Sequence, residues 1–337
     1  MKDGFGRTID YLRLSITDRC NLRCGYCMPN GIVSLPMSEI LSFEEIVFIT
    51  SVLAELGIKK IKITGGEPLV RKGCNTLIRM LKEIPGIEEV TLTTNGVLLN
   101  ENLDALLDAG LDAVNISIDT LNKEKYQMIT GSDCLEEVLS SIDSAIRSGI
   151  PVKINTVSVD FSPRSQTENI SPEQYTEIIH LIEFARNRNL CVRFIEMMPL
   201  GPGKDYPGIP HNQLIPFLMD KYNGMTPDNL CHGNGPAIYY KIPGFTGSIG
   251  FISALNGKNC KNCNRIRLTT TGYLKTCLCY NKGVALMDII RRKDSNRNKH
   301  DLLMQMMKEA ITDKPEMHCF EDRENISEKH AMSSIGG

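Results

Sequence analysis

No stretch of this sequence approaches the roughly 18 consecutive apolar residues of a membrane-spanning helix, and the opening MKDGFGRTIDYL lacks the apolar core of a secretory leader. These two gaps predict a chain outside the membrane and, by default, a cytoplasmic location. Positive charge is not in excess either, because 38 Lys and Arg stand against 40 Asp and Glu for a net charge of -2. That balance excludes a protein that coats nucleic acid or an anionic bilayer by overall charge. Neither is expected as a partner, and any cationic site must be focused in a pocket. There is no low-complexity tract and no P-loop pattern G-x-x-x-x-G-K-[ST]. What is there is a 337-residue chain, 42% hydrophobic and 23% charged, long enough for one large α/β domain and a smaller module.

From residue 11 to residue 198, short alternating apolar runs recur with helical stretches between them. YLRLSI, KIKIT, VTLTT, AVNISID, VKINTV and VRFIEMM read as strands. SFEEIVFITSVLAELG reads as a helix opened by the capping pair Ser42 and Glu45 and closed by Gly57. CNTLIRMLKEI, NLDALLDAG, CLEEVLSSIDSAIRSG and SPEQYTEIIHLIEFARNRN read as helices too.

Six β/α units imply a parallel sheet, open or curved into a partial barrel. A parallel strand covered on both faces should be nearly all Val, Ile and Leu. Here Leu12, Leu14 and Ile16 share one face while Arg13, Ser15 and Thr17 share the other. The same split puts Lys60, Lys62 and Thr64, then Thr91, Thr93 and Asn95, then Asn115, Ser117 and Asp119, then Lys153 and Asn155 on a polar face. The expected fold is α/β: a partial, TIM-like (β/α)6 barrel, open enough for its lumen to hold a polar ligand. PLGPGKDYPGIP reads as a linker after it, which divides the chain into a barrel over 1–200 and a smaller α+β extension over 201–337. The extension is expected to have helices near 211–222 and 301–310, strands at AIYYKI, SIGFIS and RIRLTT, and a solvated loop at RRKDSNRNKH.

Twelve cysteines in a reducing compartment are no disulfide framework. Clustered ones read as metal ligands, and the scattered Cys74, Cys134, Cys191, Cys231 and Cys319 as small buried hydrophobes. The clusters are Cys20, Cys24 and Cys27 in TDRCNLRCGYCMPNG, and Cys260, Cys263 and Cys277 further on. A structural zinc site wants four protein ligands, whereas three thiolates leave one iron of a [4Fe-4S] cluster open. The first group directly follows the first strand, at the C-terminal mouth where barrel active sites are built.

CNLRCGYC in that strand context, followed by TGGEP at 64–68, resembles the signature of radical S-adenosylmethionine (SAM) enzymes. The resemblance implies a [4Fe-4S] cluster on Cys20, Cys24 and Cys27 whose open iron chelates SAM, and whose electron cleaves SAM to a 5′-deoxyadenosyl radical. It implies SAM contacts at Tyr26 on the adenine, at Gly66 in the loop that receives the amino group, and at Ser117, with Asp119, and Met198. In physical terms, Gly65 and Gly66 allow backbone to approach a ligand closely, and Glu67 before Pro68 is held extended.

The second cysteine group is open to two readings, an iron-sulfur cluster or a zinc site completed by Cys279. Beside it Arg265 and Arg267 stand two apart on a strand and therefore on one face, a pairing that suits bidentate phosphate binding and that a zinc knuckle does not need. TDRCNLRCGYCMP, TGGEPLVRK, TTNG, KINTV, FIEMMPLG, CKNCNRIRLTTTGYLKTCL, KPEMHCF and the terminal IGG together resemble the GTP 3′,8-cyclase family of molybdenum cofactor biosynthesis, over nearly the whole chain. That resemblance implies a second [4Fe-4S] cluster on Cys260, Cys263 and Cys277, with guanine at its open iron. It implies GTP contacts at Arg13, Lys62, Thr93, Lys153, Arg265, Ile266 and Arg267, and catalytic roles for Arg265, Arg267 and a Gly336-Gly337 tail that enters the active site.

The implied reaction takes hydrogen from C3′ of GTP and joins that carbon to C8 of guanine, giving (8S)-3′,8-cyclo-7,8-dihydroguanosine 5′-triphosphate. The implied partners are an electron donor such as flavodoxin or ferredoxin and cyclic pyranopterin monophosphate synthase as recipient of the product, with a homodimer among the assemblies left open. Three features depart from the family. SVDFSPRSQTENISPEQ is longer than the usual connector, Lys62 replaces an arginine and cannot form its fork, and Cys279 is an extra thiol. A peptide-modifying radical enzyme would carry more C-terminal cysteines, and a plain electron carrier would need neither the barrel nor an open iron.

Overall fold

Alternation along the strands decides the architecture. The structure is a computed structural model that describes residues 1–29, 31, 35–159, 161, 172–230, 233–255, 259–328, 332 and 335. Its first half runs β1 (Tyr11–Ser15), α1 (Phe43–Glu55), β2 (Lys60–Thr64), α2 (Cys74–Lys82), β3 (Glu89–Thr94), α3 (Leu99–Asp108), β4 (Ala113–Ser117), α4 (Lys123–Thr130), α5 (Leu135–Arg147), β5 (Val152–Ser158), α6 (Pro172–Phe184) and β6 (Cys191–Glu196). The six strands and five helices read from the pattern are all present. At the start of α1, Ser42 Oγ accepts from the Glu45 N–H at 3.2 Å and the Glu45 carboxylate accepts from the Ser42 N–H at 2.8 Å, the reciprocal cap that the sequence suggested.

Helix α4 was not expected, because eight residues show too little periodicity. Its caps are nevertheless explicit: Asn122 Oδ1 accepts from the Lys125 N–H at 2.9 Å, and Gly131 closes it at φ +70°.

The second half adds α7 (His211–Lys221), β7 (Thr226–Asp228), β8 (Ile238–Lys241), β9 (Ser248–Ile252), β10 (Arg265–Leu268), β11 (Tyr273–Lys275), β12 (Gly283–Ala285), α8 (Met287–Ile290) and α9 (Asn296–Thr312). RRKDSNRNKH is only half a loop. Ser295 Oγ accepts from the Asn298 N–H at 3.2 Å and starts α9 inside the charged run, so a cap hidden among polar residues moved the helix start upstream.

All twelve strands lie in one sheet, in the order β12-β11-β10-β1-β2-β3-β4-β5-β6-β9-β8-β7. From β10 to β9 every pairing is parallel, and the outer pairs are antiparallel hairpins. The C-terminal extension thus builds onto both edges of the barrel sheet. Leu12, Leu14, Ile61, Ile63, Leu92 and Ile116 are fully buried on the helix side, each burial worth about 1.5–3 kcal/mol. On the other face the register aligns Arg267, Arg13, Lys62 and Thr91 across β10, β1, β2 and β3, and Thr93, Asn115 and Lys153 across β3, β4 and β5. A flat sheet would separate β1 from β6 by roughly 24 Å, five strand spacings. Yet Arg193 on β6 acts electrostatically on Arg13 and Lys62, so the sheet curls and its polar face becomes a lumen.

His211, almost fully buried at the start of α7, holds the far rim together. Its ring lies 3.1 Å from Ser158 Oγ and 2.9 Å from Ser253 Oγ. The Glu196 carboxylate accepts from the N–H of His211 at 3.1 Å and of Leu255 at 2.7 Å. Burial pushes the imidazole down to about 4 from its ordinary 6.5. The folded protein therefore takes up that proton less readily than the unfolded chain, and stability present above pH 6.5 is lost as pH falls toward about 4, by roughly 3 kcal/mol over the window. His211→Gln should lower the thermal midpoint at pH 7.5 but flatten its decline between pH 6.5 and 4; an unchanged acid slope would refute this account.

Candidate active site

The first thiol triad, Cys20, Cys24 and Cys27, lies in the loop that leaves the C-terminal end of β1, with all three side chains partly exposed. Backbone bonds fasten this loop to the one after β2: Gly66 N–H donates to Thr17 O at 2.8 Å and Glu67 N–H to Arg19 O at 2.7 Å. A Cβ on Gly66 would run into the Arg19 carbonyl, and one on Gly65, at φ +149°, into that of Thr17. The glycine pair is thus required by the chain's own triad loop.

The Glu67 carboxylate, 1% exposed, accepts from Leu69 N–H at 3.0 Å, Thr94 Oγ1 at 2.8 Å and Asn95 N–H at 2.6 Å, which welds the loops after β2 and β3. Burial pushes its pKa up to about 7 against the pull of those donors. Helix α4 carries the triad from the other side, accepting from Arg23 N–H at 2.8 Å and Gly25 N–H at 3.1 Å through Thr130 and Ile129. Tyr26 donates to Asp119 at 2.7 Å and meets Phe161 and Tyr206 with ring centroids 6.0 and 6.4 Å away. Burial raises the Cys20 thiol and drives the Cys24 thiol well up, with Glu67 and Asp119 respectively adding to it. Iron would have to supply the positive charge that makes them thiolates.

The second triad sits where β10 begins and just beyond β11. Arg7, itself paired with Asp3 at 2.6 Å, donates to the carbonyls of Cys260 at 3.0 Å, Glu316 at 2.7 Å and Pro315 at 2.7 Å, and so stitches the N-terminal segment, the triad loop and the region after α9 together. Lys314, 2% exposed, donates to the Thr276 carbonyl. Here the local charge has the opposite sign: Lys314, Arg265 and Arg267 overcome burial and draw the Cys263 thiol down to about 7. Among the described residues no three His, Cys, Asp or Glu side chains converge as a single metal ion requires. Three thiolates are the donor set that a [4Fe-4S] cluster with one open iron takes. Cys279, the candidate fourth zinc ligand, has its sulfur 3.1 Å from that of Cys319.

Between the triads the lumen gathers cations. Lys62 is 8% exposed, and burial with Arg193, Arg13 and Lys153 as neighbours holds its ammonium well below the ordinary lysine value. Arg267, also 8% exposed, is lowered to about 9 by burial, Arg13 and Arg265, and its Nε is buried with no hydrogen-bond partner among the described residues. A buried donor without an acceptor, beside like charges, marks a place shaped for an anion.

The other expected site residues that fall among the described ones can be placed as well. Thr93 accepts from Asn115 Nδ2 at 3.4 Å, and Ser117 ends β4 opposite Asn155. Ile266 turns its side chain into the apolar core, so only its main chain is available to a ligand. Met198 follows β6 and packs against a small apolar cluster of Leu200, Leu278, Cys279, Phe320 and Ile335, where Cys277 also packs. Gly336, Gly337 and Cys231 lie outside the described residues, as does most of the long connector after Val159. Sequence reasoning missed Arg193, whose guanidinium donates to Asn155 Oδ1 at 3.0 and 2.6 Å. The period-two pattern in VRFIEMM was the signal, since it puts Arg193 on the polar face. It missed Arg7 and Lys314 because nothing local in sequence marks a contact across more than 200 residues or with a distant carbonyl.

A curled parallel sheet with a three-cysteine loop at the C-terminal end of its first strand is the arrangement of a radical SAM protein. The family comparisons agree: the radical SAM superfamily model matches residues 14–171, and the Molybdenum Cofactor Synthesis C model matches residues 190–320. Among solved structures, SuiB from Streptococcus suis superposes with TM-score 0.55 at 13% identity, covering 97% of this chain and 77% of that one, a likeness of fold alone. A GTP 3′,8-cyclase of Clostridium perfringens (strain SM101 / Type A) is 40% identical and one of Petrotoga mobilis is 41% identical, each over 100% of both chains. The chain belongs to the GTP 3′,8-cyclase family of radical SAM enzymes.

Proposed function

We propose that this protein converts GTP to (8S)-3′,8-cyclo-7,8-dihydroguanosine 5′-triphosphate, the first step of molybdenum cofactor biosynthesis. The observation that carries the reading is the buried cationic lumen with the unpartnered Nε of Arg267, because a triphosphate relieves that repulsion and satisfies that donor. In this reading Arg13, Lys62, Lys153 and Arg193 hold the phosphates, Thr93 fixes the sugar end, and Arg265, the Ile266 main chain and Arg267 orient the nucleotide toward Cys260, Cys263 and Cys277. Cys20, Cys24 and Cys27 hold the SAM-binding [4Fe-4S] cluster, and Tyr26, Gly66, Ser117 and Met198 cradle SAM. When bound, these groups supply the 5′-deoxyadenosyl radical that takes hydrogen from C3′. The protein's own part is to keep the two substrates in line and to exclude water.

The same reading takes the Gly336-Gly337 tail into the active site, a flavodoxin or ferredoxin as electron donor, cyclic pyranopterin monophosphate synthase as recipient of the product, and the cytoplasm as location. Among the described residues no helix is long and apolar enough to cross a membrane. The test is product analysis of anaerobically reconstituted protein given GTP, SAM and a strong reductant. With GTP deuterated at C3′, the label should appear in 5′-deoxyadenosine alongside the cyclised nucleotide. Unmodified GTP despite robust SAM cleavage would overturn the reading.

A further inference from the structure

Two cysteines outside both triads are brought together by the fold. Cys279 is fully buried beyond β11 and Cys319, partly exposed, lies beyond α9, 40 residues away, yet their sulfurs are 3.1 Å apart. The Cys319 N–H points to the Cys279 sulfur at 3.3 Å, so the backbone holds the two in register. Forming an S–S bond of about 2.0 Å asks for only about 1 Å of movement. Cys279 is buried and Cys319 partly exposed, and the residue next to each lines an open cleft. A cleft of about 580 Å³ is lined by Tyr280 and Asn281 on one side and Met317 and His318 on the other, the segments that carry the two thiols.

Beyond the pair, the segment 319–328 lies as a strap across the turn that follows β11. Its far end is anchored by Glu328 N–H to the Cys279 carbonyl at 3.2 Å, by Asn281 N–H to Ser327 Oγ at 2.9 Å, and by the buried Lys275–Glu328 ion pair. Its near end has the two thiols.

We propose that Cys279 and Cys319 are a reversible dithiol–disulfide modification site, oxidised by small disulfides that enter through the cleft and serving to tie the strap covalently to the turn. The sulfur of Cys319, the more exposed of the two, attacks the small disulfide and releases one thiol. The Cys279 sulfur then displaces the second thiol from that mixed disulfide. In total the protein pair gives up two electrons and two protons, and the small disulfide takes them up and leaves as two thiols. In a reducing compartment such a bond is transient, and therefore suited to sensing rather than to holding the fold.

The test uses iron-replete protein, handled anaerobically and titrated with glutathione disulfide, then alkylated, digested and mapped by mass spectrometry. The expected result is a cross-linked peptide pair containing Cys279 and Cys319 in most chains, with iron content unchanged. Dithiothreitol should reverse it. Proteolysis within 321–328 should slow several-fold in the oxidised form, and Cys319→Ser should leave Cys279 free and abolish that protection. A stable glutathione adduct on Cys319 without the cross-link, pairing of Cys279 with Cys277 instead, or a cross-link that forms only after iron is lost would each overturn the proposal.

Discussion

Replacing Arg267 with methionine is expected to cut kcat/KM for GTP by roughly 10- to 100-fold while reductive SAM cleavage continues. The magnitude follows from about 1.5–3 kcal/mol for a hydrogen bond that involves a charged group. Arg267 is nearly buried on β10, in register with Arg13 on β1, and its Nε has no acceptor of its own among the described residues. Its cost to the ligand-free fold is burial of its charge together with repulsion from Arg13 and Arg265, so removing that charge should leave the thermal midpoint of the ligand-free protein unchanged or raise it. That sign separates a binding role from a structural one, since a structural arginine would lower the midpoint. Arg267→Lys should recover part of the loss, because a point charge replaces the fork without its geometry. A variant with wild-type GTP kinetics, or one in which SAM cleavage collapses together with stability, would remove Arg267 from the substrate site.

The second large effect separates the two thiol triads. Cys24→Ala should bring 5′-deoxyadenosine formation to background, because the loop it belongs to is the one fastened to Gly66 and Glu67 and supported by α4. Cys263→Ala should do something different: SAM cleavage persists, and cyclised nucleotide falls to background. Each variant should lose about four irons from a total near eight, as two four-iron clusters require. The thiols are also expected to differ in reactivity. Cys263 is drawn down to about 7 by Lys314 and the two arginines, whereas burial pushes Cys24 well up, so Cys263 should be alkylated faster than Cys24 in the iron-free protein at pH 7. Stoichiometric zinc in the second site, or cyclisation by Cys263→Ala at the wild-type rate, would defeat the two-cluster reading.

Much of this molecule can be derived from its amino-acid sequence because the governing signals are local. Side chains alternate across a strand with period two, so Leu12 and Arg13 must face opposite ways whatever the rest of the chain does. The spacing of Cys20, Cys24 and Cys27 after a strand points to a cluster loop before any coordinate is known, and the Ser42–Glu45 cap closes within one helical turn. Tertiary structure decided what depends on strands and loops far apart in sequence. It alone placed β10 beside β1 and β9 beside β6, which turned a six-strand expectation into eight parallel strands in series and set Arg267 against Arg13. It alone set Arg193 against Lys62 across the lumen, placed the glycines of TGGEP against the Thr17–Arg19 backbone, and brought Cys279 to Cys319. Each of these rests on a contact whose partners are separated by tens to hundreds of residues, and local pattern has no term for such a contact until packing of the apolar faces has closed the chain upon itself.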